Sequence, residues 1–172
     1  MFLTMAALLS AAAPTGTTNI DVNNLPGVFE ATCLDGQAHL SAGEVSQISF
    51  DQLPSGLRDS LGRPASAKVW RLNAAGRAYL YLLDYADAPG SSPKVCGLAS
   101  DTMNLTSATD RLQLRVTGQV NERNARTAQW LNAKDGYVAT ATTAASFNVL
   151  QISWLSAEGR DASLVQVNQL RH

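Results

Sequence analysis

Histidine is nearly missing from this chain: His39 lies in a polar stretch and His172 is the last residue. That scarcity removes the usual general base of hydrolases and the commonest metal ligand. Cysteine is as sparse. Cys33 and Cys96 stand far apart with no paired histidines, whereas a zinc site needs such ligands at close spacing. The patterns GxGxxG, GxxxxGK followed by Ser or Thr, GxSxG and the EF-hand loop are absent, so nucleotide binding and the common serine hydrolase chemistry have no support. No metal and no cofactor are expected. Charge of one sign is missing too: 13 Lys plus Arg against 14 Asp plus Glu give a net charge of −1. No overall field steers the chain to nucleic acid or anionic lipid, and neither is expected as a partner.

Long hydrophobic runs are also lacking. The longest, Met1 to Ala13, is shorter than the roughly 20 residues that cross a bilayer, so no transmembrane span is expected. It ends in Ala11-Ala12-Ala13, which fits a signal-peptidase pattern, and residues 1–13 read as a secretory signal. The first basic residue is only Arg58, unlike an ordinary signal. The alternative is an apolar arm that docks on the domain or on a neighbour. Residues 14–24 (PTGTTNIDVNN) are small and polar without a period, as in a mobile linker. Residues 25–172 then form one globular domain, for which 45% apolar content supplies a real core.

The most ordered stretch is Ala67 to Ser100. Val69 to Leu72 and Ala78 to Tyr85 are rich in aromatic and branched residues, and Asn73-Ala74-Ala75-Gly76 between them supplies a turn. Period 2 puts Tyr79, Tyr81, Leu83 and Tyr85 on one face and Leu80, Leu82 and Asp84 on the other, so the second strand reads as central. Pro89 to Pro93 reads as a turn into a third strand, Lys94 to Ala99.

Helical spacing places Leu25, Val28, Phe29, Thr32 and Cys33 on one face of a first helix, and Leu53, Leu57 and Leu61 on a second, between Pro54 and Gly62. Leu105, Ala108, Leu112 and Val116 predict a third within Asp101 to Gly118, with Ser107 and Asp110 as its capping box. Leu112, Leu114 and Val116 also alternate, so a strand is the competing reading there. Three more strands follow: Ala128 to Leu131, Tyr137 to Thr143 and Phe147 to Leu155. Leu164 to Leu170 reads as a last edge strand or a tail. The expected fold is α+β, an antiparallel sheet of about six strands with two or three helices on one side. WRLNAAG at Trp70 and WLNAKDG at Trp130 suggest a duplicated helix-plus-three-strands unit, with half-repeats 25–100 and 101–156.

An even pair of cysteines in an exported chain is usually bridged. A Cys33–Cys96 bond would close a loop of about 60 residues and stabilise the fold by roughly 4 kcal/mol in the chain-entropy model. Two buried thiols are the alternative. Among chemical candidates, Asp84 follows the apolar run YLYLL and is the carboxylate a hydrolase would use as its acid, with Asp35, Asp87 or Asp135 as a second. Pairing with Arg71, Arg77 or backbone amides competes with that role. Arg111, Arg115, Arg123 and Arg126 make a basic cluster that reads as a solvated face. Trp70, Tyr79, Tyr81, Tyr85, Trp130 and Trp154 form either a binding patch or core. Asn104-Leu105-Thr106 matches a glycosylation tripeptide by chance.

In style the chain is similar to small exported bacterial proteins with one cysteine in an early helix and another in a strand. The signal-like start, the two cysteines and the absence of catalytic motifs lead to the expected function, a periplasmic or extracellular, non-enzymatic domain of the bacterial envelope that binds another protein or an assembly. The alternatives are a carboxylate-dependent hydrolase using Asp84 and a small-ligand carrier with an apolar pocket.

Overall fold

The computed structural model describes residues 19–37, 40–85, 94–116, 118–124 and 126–154. The signal-like segment 1–13, the first part of the linker, His39, Asp87, the 89–93 turn, the 164–170 segment and His172 lie outside the described residues.

Apolar side chains recurring every second residue have one outlet, a sheet, and the strands form a single one. They are β1 (Val45–Ile48), β2 (Ser66–Leu72), β3 (Ala78–Asp84), β4 (Lys94–Ser100), β5 (Gln119–Arg123), β6 (Thr127–Asn132), β7 (Tyr137–Ala144) and β8 (Phe147–Trp154). All eight lie in the order β1-β2-β3-β4-β8-β7-β6-β5, and each neighbouring pair is antiparallel. The chain lays down one meander from the first edge to the middle. It then starts again at the far edge and works back until β8 pairs with β4. The fold is α+β. The strands beyond the expected six are the two edges, β1 and β5, which are short and polar because one flank and part of one face stay in water.

Three helices cover the sheet. Helix α1 (Leu25–Phe29) starts with Pro26 in its first turn and runs directly into a π-helical turn, Glu30–Leu34. Helix α2 (Ser55–Leu61) begins after Pro54, ends at Gly62 and buries Leu57 and Leu61. Helix α3 (Leu105–Arg115) buries Ala108 and Leu112. Its cap is Asn104, whose side chain accepts from the Ser107 N–H at 2.9 Å, in place of the expected box built on Ser107 and Asp110. The helical reading prevails over the alternating one: Leu112 is buried and Leu114 is 88% exposed on the outer side.

Helices α1 and α3 pack on one face of the sheet, over Trp70, Leu72, Leu80, Cys96, Leu98, Trp130, Leu150 and Ile152. Helix α2 packs on the other, over Val69, Tyr79, Tyr81, Leu83, Val95, Phe147 and Val149. Covering both faces follows from β3 and β4, whose side chains are apolar on both, so helices on a single side would leave half of that surface in water. The expected linker 14–24 is described from Asn19 on, and that part is docked. Ile20 is 7% exposed and bridges Ala74, because an isolated apolar residue in a polar stretch gains by burial.

Trp70 and Trp130 occupy matching places. Each is on the second strand of its meander, Trp70 opposite Leu80 and Trp130 opposite Ala139, with both side chains in the core under α1 and α3. Each half holds four strands in place of the expected three, and among the described residues α2 has no counterpart after β5. Duplication of a helix-plus-three-strands unit is not established.

The seam between the meanders is held on the α2 face by Tyr81. It pairs with Gly97 on β4, and its ring lies where a side chain of Gly97 would be. Its hydroxyl reaches across to donate to Gln151 Oε1 on β8 at 3.1 Å. Gly97→Ala should force the buried ring aside and destabilise the protein by about 1–3 kcal/mol, the usual cost of overpacking. A lowered denaturant midpoint at unchanged m-value checks this.

Candidate functional site

Cys33 and Cys96 form the expected disulfide, with Cα atoms 5.6 Å apart and both residues fully buried. The bond runs from the π-turn after α1 to the middle of β4. It fixes α1 on the sheet at the point where the two meanders join.

The six aromatic residues do not make an exposed patch. Trp70, Trp130 and Trp154 belong to the core under α1 and α3. Tyr79 and Tyr81 belong to the core under α2, with Tyr85 packed at its margin. The Tyr85 hydroxyl donates to the Leu61 carbonyl at the end of α2, which satisfies one of the acceptors a helix C-terminus leaves open. Burial pushes both Tyr81 and Tyr85 hydroxyls above the ordinary tyrosine range.

Asp84 ends β3, opposite Ser66 and Lys94 in register. It lines a surface groove with Ser66, Lys68 and Lys94, and no second carboxylate is among the described residues lining it. Of the acids that a hydrolase would need beside it, the two among the described residues are engaged elsewhere. Asp35 accepts from Arg115 at 2.6 Å, and Asp135 closes the β6–β7 turn through Asn132. The arginine cluster resolves into ion pairs. Arg111 binds Glu30 through Nε at 2.7 Å and Nη2 at 2.9 Å, and Arg123 binds Asp110 at 2.9 Å. Arg126 lies in the turn before β6, its backbone N–H on Asn124. Glu30 is 8% exposed; its hydrogen bonds raise the guanidinium of Arg111 above its ordinary value despite the opposing effect of burial. Arg111 and Arg115 both reach from α3 to the α1 segment, so these two pairs set the spacing of the helices.

One cleft collects polar groups that the sequence scatters. It has a volume of about 420 Å³ and is lined by the docked segment (Asn19, Ile20, Asp21, Asn24), by α1 and its π-turn (Gly27, Val28, Ala31, Thr32), by Leu40 and Glu44, and by Arg111 from α3. Asn73 ties two of its walls together: its carbonyl accepts from the Ile20 N–H at 2.7 Å and its N–H donates to the Glu44 carbonyl at 2.8 Å. Gly27 leaves room that Asn24 and Arg111 use: a Cβ there would stand 2.6 Å from Asn24 Oδ1 and 3.1 Å from Arg111 Nη2. Thr32 is 1% exposed, and its hydroxyl has no hydrogen-bond partner, not even the carbonyl four residues back that a helical threonine often takes. Among the described residues the space between sheet and helices is packed with core side chains, and this cleft has a mixed lining that includes charged groups, whereas the carrier reading expected an apolar one.

No family model, no curated protein and no solved structure matches the chain.

None of the cleft's acidic groups was legible as a site. Asp21 sits in a stretch that reads as linker and Glu44 in one without a period. Their only local signal is capping: Asp21 Oδ1 accepts from the Asn23 N–H at 2.9 Å, and Glu44 Oε2 accepts from the Ser41 N–H and hydroxyl, both at 2.8 Å. Two carboxylates carry a pH signature, Glu44 in the cleft and Asp101 outside it, which accepts from the backbone N–H and the Nε of Arg77, both at 2.8 Å. The Ser41 hydrogen bonds hold Glu44 below its ordinary 4.5. Burial raises Asp101, but the hydrogen bonds and charge of Arg77 outweigh it and leave the carboxyl below 3.8. Both acids are stronger folded than unfolded, so their stabilisation is complete above the unfolded values and disappears as pH falls through the lower folded ones. The melting temperature should drop on acidification below about pH 4, and Asp101→Asn with Glu44→Gln should flatten that fall.

Proposed function

We propose that the protein is an exported, non-enzymatic domain of the bacterial envelope that acts by binding. The observation that carries this reading is the fully buried Cys33–Cys96 bond between α1 and the central strand. Structural disulfides of this kind persist in oxidising compartments and are rare in the cytosol. Residues 1–13 fit the same destination as a secretory signal. The polar cleft on the α1 side supports binding over catalysis, since its carboxylates and arginine are placed to hold a ligand and the sequence's one catalytic candidate, Asp84, lies in a different groove beside two lysines. A protein partner or an envelope assembly is the expected context in which the domain works.

Two measurements test this. Protein recovered from the envelope fraction and alkylated without reduction should show no labelled thiol by mass spectrometry; label on both cysteines would remove the case for export. Crosslinking in the same fraction should trap a defined complex, and recovery of monomer alone would remove the interaction. Cys33→Ser with Cys96→Ser should lose about 2–5 kcal/mol of unfolding free energy, as small secreted domains do when a native bridge is removed.

A further inference from the structure

Given a binding role, we infer that the cleft between the docked segment and α1 takes a small zwitterion, a molecule carrying both a protonated amine and a carboxylate, of the class of a free amino acid or a short peptide. Its lining carries both signs of charge, Asp21 and Glu44 against Arg111. Each carboxylate has one oxygen engaged by its own loop, Asp21 Oδ1 and Glu44 Oε2. The other oxygen of each, Oδ2 and Oε1, makes no bond among the described residues. Both groups are therefore fixed in place before a ligand arrives, which lowers the ordering cost of binding. Arg111 uses Nε and Nη2 on Glu30, so the buried carboxylate holds the guanidinium still while Nη1 remains for a ligand carboxylate, a group that arginine recognises well.

Ligands of one sign fit this lining less well. A simple amine meets the Arg111 cation, and a simple carboxylate meets Asp21 and Glu44. A metal ion has no group of three ligating side chains among the described residues. The lining also includes Ile20, Val28 and Leu40, which suit a small apolar side chain, and the cleft volume of about 420 Å³ falls in the range of small-molecule sites. Two further features sit in the same wall. The π-turn Glu30–Leu34 is a helix irregularity often found at functional sites. The Thr32 hydroxyl, buried without a partner and on the cleft's lining, is a polar group that folding alone leaves unsatisfied, at a cost the protein would be expected to avoid. Gly27 is the point at which the backbone permits Asn24 and Arg111 to come close.

Titration calorimetry on the oxidised full chain tests this with L-alanine, L-leucine, L-glutamate, L-Ala-L-Ala and the N-acetyl and C-amide forms of each. At least one free zwitterion should bind saturably, and blocking either its amine or its carboxylate should weaken it about tenfold or more. Binding of amino acids without the dipeptide, or the reverse, separates the two sources. Asp21→Asn with Glu44→Gln should cost about tenfold or more in affinity. Gly27→Ala, which keeps every charge and favours the helix, should also weaken binding by moving Asn24 and Arg111. Circular dichroism and melting establish that each variant is folded. Absence of saturable binding by every zwitterion up to about 10 mM, equal binding of the blocked forms, or unaltered binding by folded variants would overturn the inference. Crosslinking of the envelope fraction runs in parallel: a defined complex alongside failed zwitterion binding discards the ligand class and leaves the binding domain standing, and loss of both discards the two together.

Discussion

The bond between Cys33 and Cys96 is the constraint on which the rest of this structure leans. Helix α1 has five residues before it passes into a π-turn, far too few to hold a helix together in water by its own hydrogen bonds. It exists because Leu25, Val28 and Phe29 are buried against the sheet and because its end is tied covalently to β4. That strand is flanked by β3 and β8, so the tie reaches the seam of both meanders. The same helix is one wall of the polar cleft. Cleft geometry and helix placement therefore depend on two sulfur atoms.

Burial on both faces explains why the sheet's middle is readable in the sequence and its edges are not. Period 2 in Ala78 to Asp84 leaves no polar face, which by itself marks a central strand, and β2, β3, β4, β6, β7 and β8 fall close to where aromatic and branched residues place them. Val45–Ile48 and Gln119–Arg123 carry two apolar residues and one respectively, and edge strands with a solvated flank need no more. The side on which α2 packs is hidden for a related reason. Its Leu53, Leu57 and Leu61 stripe requires that it pack on something, but only the assembled sheet shows that the face bearing Tyr79, Tyr81 and Leu83 had no other cover.

Site residues were legible where a covalent or packing rule spoke for them, and not elsewhere. Cysteine pairing could be argued from number, compartment and helix face. The aromatic residues carried two readings, and burial under helices on opposite faces removed the binding patch. Asp21 and Glu44 line one cleft in part because backbone hydrogen bonds to and from Asn73 gather their two loops, and long-range backbone contacts leave no local pattern in a sequence. The arginines illustrate the complementary case. They looked like a surface cluster, yet Arg111 and Arg115 are partners of Glu30 and Asp35 from a helix some eighty positions earlier, spacers between α1 and α3 that leave one guanidinium edge over the cleft.

Hydrogen exchange of the oxidised and the reduced protein, read strand by strand, tests most directly whether the bridge holds α1 in place. In the oxidised protein the amides of β4 and β8 and those of Val28 to Leu34 should be protected together. On reduction, protection in Val28 to Leu34 should fall well before that of β3, β4 and β8, since the sheet retains its ladder and the α2 face retains its core. Equal protection of Val28 to Leu34 in both states, or loss of the whole sheet at once, would contradict the account.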